Sequence, residues 1–198
     1  MIRPLVQRLR SEMQSLAVTR KVVPYWMERG VDHYSCAIHS VGVTYWCLLG
    51  YELGYSAVAE MPAPARGRYA HVGDDVRSDN IWFEKTSADP LVIVEFERYL
   101  RQSDEGNLLE KAANLLLAHQ RWGDSPRLLV LAYWTKGLTT YPNSDLLKDR
   151  VRGGFETLAG EKVIGSNTAE MLILRFILRE PEPNVLQLWQ VLEQGGDG

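Results

Sequence analysis

Near the middle of the chain, an apolar segment runs directly into acidic residues. Residues 91 to 96 read LVIVEF, so Glu95 and Glu97 occupy alternate positions at the end of a predicted strand. A buried carboxylate is costly to ionise unless another group compensates its charge. A divalent metal ion is one such group, and a bound ion could also activate water for hydrolysis.

Asp79 supplies a further carboxylate from the preceding predicted strand, DNIWFEK. If the intervening hairpin loop has five residues, Glu84 faces Pro90 and Asp79 lies directly opposite Glu95. Opposite β-carbons are about 4.5 to 5.5 Å apart, and magnesium binds oxygens at about 2.1 Å, so the two carboxylates could share one ion. Glu97 lies on the same face because side chains alternate along a strand. We therefore expect an acidic cluster at the open end of the hairpin.

The elements that would position these acids follow from the hydrophobic pattern. Apolar residues recur at helical spacing in some segments and alternate or run continuously in others, separated by Gly, Asp and Pro. The sequence predicts a helix over residues 35 to 50, strands over 56 to 62, 79 to 85 and 91 to 96, a helix over 107 to 122 and a strand over 127 to 134. A further helix near 145 to 159, a strand over 170 to 179 and an amphipathic tail around 186 to 192 follow.

This order of elements, with Asp79 opening the second strand and Glu95-Phe96-Glu97 ending the third, resembles the PD-(D/E)xK nuclease superfamily. The resemblance covers residues 35 to 136 and implies a restriction-endonuclease-like core. Such a core is an α/β fold in which a mixed β-sheet contains a three-stranded antiparallel meander flanked by helices. It further implies that Asp79 and Glu95 bind Mg²⁺ or Mn²⁺, and that the chain hydrolyses phosphodiester bonds, in DNA more than in RNA.

The resemblance departs from the family at Glu97, which stands where the motif lysine is expected. Lys111 lies in the first turns of the helix after the third strand and could supply the missing ammonium group. Glu60, at the end of the first strand, could be a further metal ligand. His39 lies near the place where the family's first helix often carries a glutamate. We expect catalytic roles for Asp79, Glu95, Glu97 and Lys111, with Glu97 binding a second ion or accepting a proton from water.

The overall charge gives no sign of a polyanion partner, because the net charge is -3 and the pI is near 5.8. Nucleic acid would therefore be bound by a local basic patch. We expect Arg77, Arg98 and Arg101, beside the carboxylates, to contact it, together with the basic opening segment. This segment, residues 1 to 30, reads as an amphipathic helix; residues 31 to 137 form the nuclease-like core, and residues 138 to 198 belong to the same domain.

The two cysteines lie in an apolar stretch without a secretory signal before them, and no run of apolar residues is long enough to span a bilayer. We expect a cytoplasmic protein with reduced thiols and no membrane partner. Whether it forms a homodimer or joins a partner protein stays open.

Several alternatives compete with the nuclease interpretation. The acids could simply be solvated, or paired with Arg98 or Arg101. Zinc binding by Cys36, His39 and Cys47 lacks a fourth ligand at a diagnostic spacing, and acyl-transfer chemistry lacks a nucleophile motif. A catalytically inactive binding module of a larger system is the main alternative function, and the glutamate at the lysine position favours it. An unrelated metal hydrolase is a third.

Overall fold

The computed structural model describes residues 2–32, 35–64, 76–138, 141–158 and 160–195, without the side chains of residues 35 and 36. The helices are α1 (Ile2–Ser15), α2 (Ala17–Val22), α3 (Pro24–Glu28), α4 (Ser35–Glu52), α5 (Glu105–Arg121) and α6 (Ser144–Gly153), with a 3-10 helix at Gln102–Asp104. The strands are β1 (Val31–Asp32), β2 (Ser56–Pro62), β3 (Arg77–Phe83), β4 (Pro90–Arg98), β5 (Leu128–Lys136), β6 (Phe155–Glu156), β7 (Lys162–Val163), β8 (Glu170–Glu182) and β9 (Val185–Gln194).

The main sheet has the strand order β1-β9-β8-β5-β4-β3-β2. Strands β2, β3 and β4 pair antiparallel, whereas β4, β5 and β8 run parallel, and β9 returns antiparallel to β8. The predicted α/β class, with a mixed sheet that contains an antiparallel meander and is flanked by helices, is therefore confirmed. No helix in the described parts of the chain is long and apolar enough to cross a membrane.

Each face of the sheet buries its own apolar core, because side chains alternate along every strand. Val92, Val94 and Phe96 of β4 pack in the core that α1 and α4 cover. Ile93 faces the opposite core, which is formed with α5 and α6. Glu95 follows Ile93 at the same parity, so the acidic residues end a strand face that α5 covers.

The chain differs from the sequence-based expectation at both ends. The opening segment is three helices rather than one, because Leu16 adopts a left-handed conformation (φ 52°) and Pro24 begins a new helix. The helix expected near 145 to 159 ends at Gly153, before a left-handed Gly154, and Ala159 lies outside the described residues. The tail is strand β9, so it belongs to the same sheet as the meander.

The β3–β4 hairpin has the predicted register at its open end and a different geometry near its turn. The pairs Asn80–Val94, Ile81–Ile93 and Trp82–Val92 continue to a position where Asp79 is level with Glu95. The predicted pairing of Glu84 with Pro90 is wrong, because Phe83 faces Pro90 and a bulge follows Trp82. The turn is closed instead by the Glu84 N–H, which donates to the Asp89 carbonyl at 2.9 Å.

Candidate functional site

Asp79 is the centre of the site at the open end of the hairpin. Its side chain is buried, and its Oδ2 accepts a hydrogen bond from the Phe96 N–H at 2.6 Å. Its other oxygen, Oδ1, lies 3.6 Å from His39 Nε2 and 3.8 Å from Lys111 Nζ. Oδ2 thus takes the place of a main-chain acceptor where β3 and β4 separate. Oδ1 stays directed at His39 and Lys111.

His39 reaches this site from helix α4. Its Nδ1 lies 2.9 Å from the Phe96 carbonyl oxygen. A carbonyl can only accept, so Nδ1 donates to it and Nε2 is the ring nitrogen that faces Asp79. Metal-binding histidines are oriented in this way by a carbonyl on their second nitrogen. Gly42, one turn further along α4, allows the approach, because a β-carbon there would lie 2.1 Å from Phe96 Cε1.

Glu60 adds a carboxylate from the edge strand β2. It lies between the pairs Ala59–Asn80 and Met61–Ser78, level with Asp79, and has a left-handed backbone (φ 53°) that a glutamate rarely adopts. One ligand atom each from His39, Glu60 and Asp79 lies within 4.8 Å of the others. Ligands about 2.1 Å from one ion are separated by about 3 to 4 Å, so this group could hold a metal ion after a small movement of the exposed Glu60.

Glu95 is not in that group. Its side chain is fully buried, its Oε2 accepts a hydrogen bond from Lys111 Nζ at 2.7 Å, and its Oε1 has no hydrogen-bond partner among the described residues. Burial and the charge of Asp79 raise the pKa of Glu95 from 4.5 to about 8, although Lys111 opposes that rise. Burial alone would lower the pKa of Lys111, but Glu95 and Asp79 together raise it, so Lys111 stays an ammonium group.

Glu97 approaches the site less closely than Asp79 and Glu95. It lies two residues beyond Glu95 on the same strand face, half-buried, and its charge contributes to the raised pKa of Lys111. Its Oε1 accepts a hydrogen bond from the Arg98 N–H at 2.7 Å. The structure therefore brings Asp79, Glu95 and Lys111 into contact, with Glu97 nearby and Glu60 on the other side of Asp79.

The predicted nucleic-acid residues lie around this end of the sheet. Arg77 begins β3 and is exposed, Arg98 ends β4 and is half-buried, and the exposed Arg101 lies 3.7 Å from Asp104 through its Nε. Their contact with nucleic acid stays a prediction.

The basic opening segment is directed elsewhere. Arg10 pairs with Glu193 at 2.7 Å and lies near Glu170, which begins β8. Because β8 runs parallel to β4, Glu170 is at the end of the sheet opposite to Glu95. Lys21 pairs with Glu52, at the end of α4 away from His39. These contacts do not support the prediction that the opening segment binds nucleic acid beside the carboxylates.

Comparisons with known proteins give no relative, since no protein-family model, curated protein or solved structure matches the chain.

The sequence placed His39 near the site but did not identify it as a ligand. The available signal was a histidine three residues before Gly42 near the start of an otherwise apolar helix. The zinc alternative joined His39 to two cysteines. Cys47 Sγ instead lies 3.1 Å from Asn80 Nδ2, and the Cys36 side chain is outside the described residues.

Proposed function

We propose that the protein is a divalent-metal-dependent nuclease that hydrolyses phosphodiester bonds, in DNA more than in RNA. The observation that carries the proposal is the juxtaposition of two groups at one end of the meander. His39, Glu60 and Asp79 offer three ligand atoms, and the Glu95–Lys111 pair lies directly beside them. A histidine held by a main-chain carbonyl, several carboxylates and a half-buried ammonium group suit the charge changes of phosphodiester hydrolysis.

The ligand atoms of this group, one imidazole nitrogen and two carboxylate oxygens, are suited to a divalent metal ion and favour one metal over another. Imidazole nitrogen is a good ligand for transition metals, whereas magnesium prefers oxygen alone. Of the two expected ions, Mn²⁺ therefore fits His39 better than Mg²⁺ does.

Each side chain has a distinct role in this proposal. A bound ion would lower the pKa of its water and neutralise charge on the phosphate. Asp79, Glu60 and His39 would hold it, with His39 oriented by the Phe96 carbonyl. Lys111 takes the place of the family's lysine from the neighbouring helix, and its N–H groups would donate to a phosphate oxygen. Glu95 positions Lys111, and the half-buried Glu97, two residues further along β4, would accept a proton from water.

Cleavage assays on the purified protein test this proposal. We expect hydrolysis of DNA with Mn²⁺, weaker hydrolysis with Mg²⁺ and none in EDTA. Asp79→Asn should reduce the rate by about a hundredfold or more, because it removes charge from the ion's site. Asp89→Asn is the matched control, since Asp89 is an exposed acid at the other end of the same hairpin. A wild-type protein that cleaves neither DNA nor RNA with either ion contradicts the proposal.

A nucleic-acid binding module without turnover is the second candidate, and the closed Glu95–Lys111 pair favours it. The pair fills the site from within, with Glu95 fully buried. In that case the protein should bind DNA without cleaving it, with affinity that falls as salt rises. Arg98→Gln and Arg101→Gln should flatten this salt dependence. Binding that is insensitive to both salt and these substitutions would exclude the basic residues as the contact surface.

A further inference from the structure

Arg175 is a buried cation that has no carboxylate partner among the described residues. It lies in the middle of β8 with only 4% of its surface exposed. Its Nε donates to Thr135 Oγ1 and its Nη2 to the Gly137 carbonyl, both at 3.1 Å. Within the described parts of the chain, no carboxylate oxygen lies within salt-bridge distance of its guanidinium group. A buried charge is costly without an opposite charge, so the position calls for an anion.

Tyr133 gives an independent sign at the same place. It is level with Arg175 on the adjacent strand β5, on the same face of the sheet, and it is fully buried. Its hydroxyl has no hydrogen-bond partner among the described residues. Burial raises the pKa of Tyr133, so the hydroxyl keeps its proton and is available as a donor at neutral pH. A cation without an anion and a donor without an acceptor therefore lie side by side.

These donors match a phosphate group. The Nη1 protons and the remaining Nη2 proton of Arg175 can donate to two oxygens of a phosphate, and the phenol can donate to a further one. These two residues also lie beside the candidate active site, because Glu97 of β4 is level with Tyr133. Neighbouring strands are about 4.8 Å apart, which places Arg175 about 10 Å from Glu97 across the sheet.

Tyr99 and Gln102 lie between this position and an open cavity. The Tyr99 ring packs on the Tyr133 ring with centroids 5.8 Å apart, and the Tyr99 hydroxyl lies 3.3 Å from Gln102 Oε1. Gln102 lines an open cavity of about 510 Å³. A phosphate inside a nucleic-acid strand is bonded to a nucleotide on both sides, so it cannot enter a position that is open on one side only. A terminal phosphate is bonded on one side only.

We infer that Arg175 and Tyr133 form a subsite for a phosphate group, and that the group is the terminal phosphate of a nucleic-acid strand. The subsite itself follows from the unpaired Tyr133 hydroxyl and from a guanidinium group without a carboxylate partner among the described residues. Its assignment to a strand end rests on the proposed nuclease function.

Thermal unfolding in EDTA with inorganic phosphate tests the subsite without any need for cleavage. Phosphate should raise the Tm of the wild-type protein, since a ligand stabilises the state that binds it. Tyr133→Phe should be at least as stable as the wild type without phosphate, because it removes an unpaired buried hydroxyl. Its phosphate affinity should be about tenfold weaker. Arg175→Gln should abolish the rise, and Arg127→Gln, at an exposed arginine before the start of β5, should keep it.

A purely structural role predicts different results. If phosphate does not raise the Tm, or raises it equally in the wild type and in Tyr133→Phe, the subsite is refuted. Because Tyr133→Phe removes no stabilising contact, this comparison stays valid even if Arg175→Gln fails to fold.

Oligonucleotides with and without terminal phosphates separate the two sources of the anion. In fluorescence anisotropy with EDTA, a 5′- or 3′-phosphate should tighten binding to the wild type about tenfold and should have little effect on Tyr133→Phe. Stabilisation by inorganic phosphate without any gain from a terminal phosphate would overturn the strand-end assignment. Phosphate-dependent stabilisation in a protein that never cleaves nucleic acid would refute the nuclease function alone.

Discussion

Glu12 and Glu95 are both buried, but their carboxylates differ in how completely they are hydrogen-bonded. Glu12 lies in the last turn of α1, where its Oε2 accepts the Val18 N–H and its Oε1 accepts the Thr19 N–H, both at 2.9 Å. It caps the first turn of α2, whose N-cap residue Leu16 provides no side-chain cap. Glu95 has Lys111 on one oxygen and no partner on the other among the described residues. One carboxylate is fully used by the fold, and the other is only half used.

The difference separates a structural acid from a candidate functional one. A carboxylate that accepts several main-chain N–H groups stabilises the fold as an anion. A carboxylate with an unused buried oxygen is destabilising as an anion and is retained at the expense of stability, as is common at functional sites. Burial alone would not have distinguished the two residues.

The largest expected effect is the pH dependence of stability in the metal-free protein. The pKa of Glu95 is raised in the folded state, so its contribution is complete below pH 4.5 and is lost as the pH rises to about 8. Over this window, Glu95→Gln should gain stability relative to the wild type by up to about 1.4 kcal/mol per pH unit. Urea unfolding in EDTA at several pH values measures it. Parallel curves for the two proteins would show that Glu95 is ionised throughout.

Removing the partner of Glu95 should have the next largest effect. Lys111→Met leaves a buried carboxylate uncompensated and should cost about 3 kcal/mol at pH 9, where Glu95 is ionised. Lys21→Met is the control, because it breaks the exposed pair with Glu52, which should contribute less than about 1 kcal/mol. Denaturant midpoints in EDTA compare them. Equal losses would mean that the buried pair is no stronger than a surface pair.

Replacing glutamate by glutamine should change the free energy of unfolding differently at the two acids at pH 7. Glu12→Gln turns an acceptor oxygen into an NH₂ group that faces main-chain N–H donors, and should destabilise the protein by about 2 kcal/mol. Glu95→Gln should leave stability unchanged or raise it. Chemical denaturation of both variants is sufficient, and a loss at Glu95 as large as that at Glu12 would remove the distinction between them.

Two helix glycines give the smallest predicted effect. Gly42→Ala forces a β-carbon against the Phe96 ring and should cost about 1 to 2 kcal/mol while weakening Mn²⁺ binding through His39. Gly106→Ala has open space around it and should stabilise α5 by about 0.5 to 1 kcal/mol. Unfolding curves and Mn²⁺ titrations test the pair. A Gly42→Ala protein of normal stability and Mn²⁺ affinity would show that α4 can retreat from β4 freely.

The sequence predicted much of this arrangement and missed the part that depends on packing between layers. The two-residue period placed Asp79 level with Glu95, and the bulge after Trp82 did not disturb that register. The left-handed Glu60 and the close approach of α4 at Gly42 are tertiary features without a periodic pattern. His39 could therefore be placed near the site but not assigned to the ligand group. Arg175 appeared only as a charge within an apolar strand, since its missing partner is visible only in three dimensions.

One residue of β4 connects the site to the folding of the whole domain. The Phe96 N–H binds Asp79, its carbonyl binds His39, and its ring packs in the core under α4. The site therefore cannot open locally without breaking a strand in the middle of the sheet. Even without metal, the Phe96 amide hydrogen should exchange with deuterium only when the whole domain unfolds, so its exchange should be among the slowest in the protein. Its exchange rate would report on the rigidity of the ligand frame from a single main-chain proton.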